Sequence, residues 1–177
     1  MVKNFFKFLE GKGKEIPFKI KIGFFPEELK PEELKIEGNL KLSWLPIKTL
    51  PEGLNVGGNL DLWGCRSLVS LPEGLTVGGS LELFGCTSLV SLPEGLTVGG
   101  DLYLFGCASL VSLPKGLKVT KNLYIDKELL DEYVGEDEGV FGNFFIKKKL
   151  WDNYDREEFV RKFIEDNGGY VKGRIVW

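Results

Sequence analysis

The sequence predicts a repeat solenoid, mainly β, whose coils of 20–21 residues stack through short parallel strands. Three observations predict it. Leu50-Pro51-Glu52-Gly53-Leu54-Asn55-Val56-Gly57-Gly58 returns at 71–79 and 92–100 almost unchanged, and in decayed form at 113–121. Each copy is followed by Leu-x-Leu (60 and 62, 81 and 83, 102 and 104), a period-2 alternation that turns both leucines to one side. Pro72 and its equivalents lack an amide donor, so they belong on the side of the coil without a strand ladder. The strands therefore follow the Gly-Gly pairs, which allow a sharp corner at little steric cost. They are expected near 40–42, 60–62, 81–83, 102–104 and 123–125. One coil alone leaves both apolar ends open, so stacking is required for folding.

The elements follow in chain order. Residues 1–28 are expected to form an N-terminal cap. Phe18-Lys19-Ile20-Lys21-Ile22-Gly23-Phe24 alternates like a strand, and Gly11-Lys12-Gly13-Lys14 joins it to an earlier apolar stretch. A small β-hairpin cap is the preferred expectation, with a short helix over 3–9 as the alternative. Lysines 3, 7, 12, 14, 19 and 21 make this cap locally basic, either as a solvated face or as a patch for nucleic acid or an acidic partner. Lys7 and Glu10 interrupt the apolar core of the N-terminal segment, and no small-residue cleavage pattern follows. No export signal is expected.

The solenoid itself is expected over 29–126. Its first coil, from Pro31-Glu32-Glu33-Leu34 to Trp44-Leu45-Pro46-Ile47, is divergent and one residue shorter than the rest. Beyond Asp126 the composition changes, and residues 127–177 are expected to form an α+β capping unit. Glu136-Asp137-Glu138-Gly139 looks like a loop, and Phe144-Phe145-Ile146 is suited to open a strand. Asp155 with Glu158 fits a capping box, and Phe159, Val160, Phe163 and Ile164 form one apolar stripe. Gly168 and Gly169 stop the helix, and the residues from Tyr170 to Trp177 alternate as a strand. The unit is either a cap alone or a second contact surface.

The block Leu60-x-Leu62-x-x-Cys65-x-x-Leu68, continuing to Leu71-Pro72, resembles the leucine-rich-repeat segment L-x-L-x-x-N/C-x-x-L. The short coil and the Leu-Pro pair look most like bacterial repeats of this family, which points to a bacterial or phage source. The resemblance covers about residues 29–126 and implies a right-handed coil with short non-helical convex segments. One departure matters: Gly57, Gly78 and Gly99 stand where the family has a leucine three positions before the first strand leucine. Val56, Val77 and Val98 sit one place earlier and are placed to supply that burial. The departure leaves a parallel β-helix open, with a second strand at Leu75-Thr76-Val77.

Composition narrows the function. The 177 residues carry a formal net charge of −3 and no histidine. Ser-His and Cys-His nucleophiles and His-ligated metal sites are thereby excluded. No run is long and apolar enough to cross a bilayer, and nothing basic enough marks a nucleic-acid footprint. The resemblance implies that Cys65, Cys86 and Cys107 form an inward ladder, bonding loop backbone or filling space. The competing reading is a three-thiolate metal site. It is disfavoured, because sulfurs in stacked coils lie about 4.8 Å apart in a row and do not converge. Bacterial leucine-rich-repeat effectors can carry a ubiquitin-ligase domain with a catalytic cysteine, but no cysteine follows Cys107 here. Neither enzymatic activity nor a cofactor is expected, and reduced thiols suit a cytoplasmic setting.

In the family the residues between and beside the strand leucines project from the concave face. The position after the second leucine reads Ser43, Trp63, Phe84, Phe105, Asp126 down the coils. The position between the leucines reads Lys41, Asp61, Glu82, Tyr103, Tyr124, and the position before them Asn39, Asn59, Ser80, Asp101, Asn122. Trp63, Phe84, Phe105, Tyr103, Tyr124, Asp61, Glu82 and Asp101 are the candidate partner-binding residues. They suit either a cross-strand aromatic ladder that stabilises the sheet or a hot spot for a protein partner with a basic and apolar surface. The function expected is a protein-interaction module, an inhibitor or adaptor, with a nucleic-acid mimic or nucleic-acid-binding protein as the alternative.

Overall fold

Each Gly-Gly corner joins two short strands, and like strands from successive coils hydrogen-bond in parallel. The computed structural model describes residues 11–13, 17–24, 26, 29–126, 139–141, 144–146 and 156–176. One six-stranded ladder runs β1 (Lys35–Ile36), β3 (Asn55–Val56), β5 (Thr76–Val77), β7 (Thr97–Val98), β9 (Lys118–Val119) and β13 (Tyr170–Val171). The other runs β2 (Leu40–Lys41), β4 (Leu60–Asp61), β6 (Leu81–Glu82), β8 (Leu102–Tyr103), β10 (Leu123–Tyr124) and β14 (Ile175–Val176). Register follows the repeat: Leu40, Leu60, Leu81, Leu102 and Leu123 are partners in turn. The second ladder extends one residue past each strand, as Leu62 N–H donates to the Glu82 carbonyl at 2.9 Å and Leu83 N–H to the Tyr103 carbonyl at 3.0 Å. The strand expected at Leu75-Thr76-Val77 under the β-helix alternative is present as well. The molecule is a parallel-strand solenoid that fits both descriptions.

The core is a stack of identical columns. Leu60, Leu81 and Leu102 are fully buried, and so are Leu62, Leu83 and Leu89. Val56, Val77, Val98 and Val119 fill the place of the missing leucine. That leucine has no room. A Cβ at Gly57 would lie 2.6 Å from the Glu37 carbonyl oxygen, and at Gly78 and Gly99 it would strike the Gly57 and Gly78 carbonyls. These glycines carry no positive φ, so close coil-to-coil approach selects them, not the sharp-corner freedom expected from sequence. Left-handed backbone occurs elsewhere, at Gly53, Gly74, Gly95 and Gly116 and at Gly64, Gly85 and Gly106.

The N-terminal expectation is corrected. Phe18–Phe24 is an α-helix (α1), not an arm of a β-hairpin. Pro17 opens it, accepting from the amides of Ile20 and Lys21 at 2.8 and 3.2 Å. The segment covers the end of the first coil by burying one residue, Ile22, with Phe18 one turn before it packed on the same core. Gly23 brings the helix against Ile47 and Leu45. Lys21 pairs with Glu33 at 2.9 Å, tying α1 to the 3-10 turn Pro31–Leu34. The Lys30 amide and then Lys21 hold the Glu33 carboxyl below its ordinary range. The helix considered over 3–9 lies outside the described residues.

At the other end, β11 (Gly139–Phe141) pairs antiparallel with β12 (Phe144–Ile146), so the strand expected at Phe144 is present and Gly139 belongs to its partner rather than to a loop. Helix α2 (Arg156–Asp166) buries Phe159, Val160 and Ile164, with Phe163 packed beside them. It ends where Gly168 adopts φ 78° and Gly169 N–H bonds the Ile164 carbonyl at 2.9 Å. Asp155, expected as its cap, lies outside the described residues. Tyr170 to Val176 is not one alternating strand. It is a sixth coil, with Val171 continuing the valine column, Gly173 the corner and Ile175 the leucine column.

The last coil is closed by two side chains of α2. In the interior, each Val56-type carbonyl and each Gly58-type carbonyl accepts an amide from the following coil. Among the described residues no coil follows Val171 and Gly173, and Arg161 donates to both carbonyls, to Gly173 at 2.8 Å. In the other ladder the amides point the opposite way, and Ile175 N–H finds the Glu157 carboxylate at 3.3 Å. Glu157 and Arg161 also pair at 2.8 Å, one helical turn apart. Together they stand in for the donors and acceptor of a further coil.

Two outcomes follow. Gly100→Ala places a Cβ 2.6 Å from Ser80 Oγ and 2.7 Å from the Ser80 amide, so it should destabilise the fold by about 2–3 kcal/mol in denaturant melts. Arg161→Met keeps the stem and removes the donors. It should cost about 2 kcal/mol, and sedimentation should show concentration-dependent association through the uncovered edge.

Candidate functional site

The outward columns of the second ladder converge on one face. Register places Lys41, Asp61, Glu82, Tyr103 and Tyr124 side by side, because Lys41 pairs with Asp61, Asp61 with Glu82, Glu82 with Tyr103 and Tyr103 with Tyr124. Beside them run Trp63, Phe84 and Phe105, each directly after a buried leucine. Trp63 and Phe84 are 46% and 45% exposed, large values for such rings in adjacent coils. Their ring centroids lie 5.4 Å apart, edge to face.

The aromatic residues divide into two groups. Tyr103 and Tyr124 stack at 4.4 Å with their planes 7° apart, and Phe105 meets Tyr124 edge-on at 6.1 Å. All three are half-buried, which is the cross-strand ladder considered from the sequence. Trp63 and Phe84 instead extend toward the N-terminal end, where Trp44 joins them 6.2 Å from Trp63. Between the groups opens a groove of about 330 Å³ lined by Trp63, Glu82, Phe84 and Tyr103. Four of the eight expected binding residues therefore meet at one place.

Trp44 is the residue that sequence reading missed. Counting from the paired leucines, it stands at the position of Gly64, Gly85 and Gly106, and it shares their left-handed backbone with φ 65°. It is 62% exposed, and its ring lies over Gly64, where any Cβ would collide with it. Arg66 approaches the same ring at 6.0 Å. Trp44 stands one place beyond Ser43, outside the outward rows read from the sequence, at a position that is glycine in the three repeated coils.

The carboxylates differ in what they do. Asp101 belongs to a polar spine along the corner. Asn39 accepts the Asn59 amide at 2.7 Å, Asn59 that of Ser80 at 2.8 Å, Ser80 that of Asp101 at 3.0 Å, Asp101 that of Asn122 at 3.0 Å, and Asn122 that of Arg174 at 2.8 Å. Asp101 also accepts from Asn122 Nδ2 at 2.9 Å, so it is held as a structural group. Asp61 accepts the Trp63 amide at 3.0 Å, and this bond fixes the backbone that presents the indole. Asp126 takes the Gly106 amide at 2.6 Å, where interior coils offer a carbonyl. The Glu82 carboxylate accepts no hydrogen bond among the described residues. Burial, then the neighbouring Asp61, push its carboxyl above the ordinary value, with Lys41 offsetting part of this. Burial and then Asp101 and Tyr124 raise the Tyr103 phenol.

The thiols sit inside. Cys65, Cys86 and Cys107 are buried, and each donates to a carbonyl of the preceding coil, those of Leu42, Leu62 and Leu83, at 3.1–3.2 Å. Burial pushes Cys86 and Cys107 up to about 12, which suppresses the thiolate needed for nucleophilic or metal chemistry. Among the described residues no group of His, Cys, Asp and Glu is arranged to hold a metal ion, and no helix is long and apolar enough to cross a membrane. No protein-family model, curated protein or solved structure matches the chain.

The thiol ladder has a pH consequence. The folded pKa of Cys86 and Cys107 lies near 12 against an ordinary 9.0, so their contribution to stability is complete below pH 9.0 and is lost as pH rises toward 12. Denaturant midpoints should therefore fall more steeply above pH 9.0 for the wild type than for Cys86→Ala/Cys107→Ala. Parallel curves would contradict the thiol assignment.

Proposed function

We propose that this chain is a non-catalytic protein-interaction module that binds a partner protein through the Trp44, Trp63 and Phe84 face and the groove beside it. One observation carries the reading. Three large aromatic side chains lie exposed and contiguous in adjacent coils, on an ordered sheet whose folding does not require their burial. Trp and Tyr dominate interface energetics, and a face presented by rigid strands loses little conformational freedom on binding. Asp61 and Glu82 bring negative charge to the same place, which favours a partner with basic and apolar groups together. The leucine-rich-repeat resemblance agrees with this use, and an open face of this kind suits an inhibitor or adaptor acting by occlusion in the cytoplasm.

The test is a pull-down with full-length protein, followed by mass spectrometry of what is retained. Trp63→Ala combined with Phe84→Ala should weaken the retained partner by at least about 30-fold, equivalent to about 2 kcal/mol, with unchanged circular dichroism. Val90→Ala combined with Val111→Ala, exposed on another side, should leave retention intact. Retention that survives the aromatic double variant would refute the proposed face. A partner that is nucleic acid would show itself by affinity falling steeply with salt.

A further inference from the structure

We propose that the groove lined by Trp63, Glu82, Phe84 and Tyr103 is an arginine pocket, receiving the guanidinium of a partner protein's arginine against the Glu82 carboxylate. The inference rests on the interaction-face reading above and names the group that this face recognises.

The charge arrangement asks for a cation at this point. Asp61 and Glu82 are cross-strand partners, an arrangement of like charges that costs stability. Asp61 has relief on both counts: the Trp63 amide bonds it at 3.0 Å, and Lys41 flanks it in register. Glu82 has Asp61 on one side and the uncharged Tyr103 on the other, Lys41 two strands away offsets only part of the repulsion, and no donor reaches its carboxylate among the described residues. The residue is half-buried, and burial is the largest cause that raises its carboxyl above the ordinary value. A group that brings both positive charge and N–H donors would remove the repulsion and the missing hydrogen bonds together.

The walls select among cations. Trp63, Phe84 and Tyr103 are flat apolar surfaces around the carboxylate. A guanidinium is planar, weakly hydrated, stacks on aromatic rings and forks onto a carboxylate in two parallel bonds. A lysine ammonium is strongly hydrated and does not stack. A quaternary ammonium suits aromatic walls but has no donor for Glu82. The volume, about 330 Å³, is small for a ligand site and matches one side-chain head with part of its stem. The apolar rim continuing to Trp44 gives the flanking residues of the same segment a surface to cover.

The experiment titrates isotope-labelled full-length protein with the peptide acetyl-Ala-Leu-Arg-Leu-Ala-amide and with versions carrying citrulline, lysine or trimethyllysine at the central position. The Trp63 indole N–H resonance should shift to saturation with the arginine peptide, with a Kd on the order of 1 mM. Citrulline keeps the shape and loses the charge, and it should bind at least about tenfold more weakly. Glu82→Gln should weaken the arginine peptide by about tenfold, while Glu94→Gln, exposed on another side, should not change it. Should Glu82→Gln disturb the amide spectrum, Phe84→Leu serves as the second variant, with the same weakening expected. Binding should also fall as pH drops from about 7 toward the Glu82 range, because proton and cation compete for one carboxylate. Equal affinity for citrulline, tighter binding of trimethyllysine, undiminished binding by Glu82→Gln, or the absence of any shift would each overturn the arginine pocket. The broader reading fails separately. A partner lost with Trp63→Ala/Phe84→Ala but kept by Glu82→Gln removes the pocket and leaves the face, whereas peptide binding without any Trp63-dependent protein partner leaves the pocket and removes the face.

Discussion

The close passage of one coil over the next at the Gly-Gly corner is the constraint on which the rest depends. Parallel strands hydrogen-bond at about 4.8 Å. In the three repeated coils Gly57, Gly78 and Gly99 meet the carbonyl before them so closely that even a methyl group collides. Thr120 and Lys172 occupy the same position in the last two coils and keep its amide-to-carbonyl bond, so it is the bonded corner that holds both flanking strands in register and lays each residue of a coil on its equivalent in the next. Leu60, Leu81 and Leu102 become a buried column for that reason, and Trp63 and Phe84 an exposed one.

Polar groups at the corner obey the same geometry. Asn39, Asn59, Ser80, Asp101 and Asn122 differ chemically, yet each presents a short side-chain oxygen to the amide of the next coil. A longer side chain would overshoot, and an apolar one would strand a backbone donor. The requirement is for an acceptor at one place, which explains why amide, hydroxyl and carboxylate interchange there. At the C-terminal end the solution changes. Among the described residues no strand pairs beyond β13 and β14, and Arg161 and Glu157 reach down from α2 to bond the carbonyls and amide that backbone meets elsewhere. Helix α2 is therefore a polar terminator as well as an apolar lid.

Legibility from sequence followed the same physics. Positions repeated in every coil were readable, because repetition multiplies a weak pattern: the leucine columns and the valine substitution came from comparing copies, and the resemblance those copies carry implied the cysteine ladder and the outward rows. Features that occur once were not. Phe18 to Phe24 alternates like a strand, but seven residues also form two helical turns, which bring Phe18 and Ile22 together onto the first coil. Trp44 lay one place beyond the outward rows, at a position that is glycine in the three repeated coils. The sixth coil was hidden by distance: some fifty residues separate Asn122 from Arg174, although Val171-Lys172-Gly173-Arg174-Ile175 spells the same corner as Val98-Gly99-Gly100-Asp101-Leu102. Within the site, the columns were legible, but the division of labour among the carboxylates was not. Asp101 and Asp61 are occupied by backbone amides, a distinction that depends on distances of a few tenths of an ångström.

The outward face also carries a cost that folding does not require. Inside, the coils repeat the same leucines and cysteines, which is what stacking demands. Outside, a ladder built only for stability would place compatible groups opposite one another, as Tyr103 and Tyr124 are. Asp61 and Glu82 oppose like charges instead, and Trp63 and Phe84 leave nearly half of their surface in water. Both are unfavourable for the isolated chain, and both are relieved by a single kind of visitor: an apolar surface that brings a cation with it. Local conflict of this sort, set in a scaffold otherwise consistent at every level, is the physical ground on which the proposed interaction face rests.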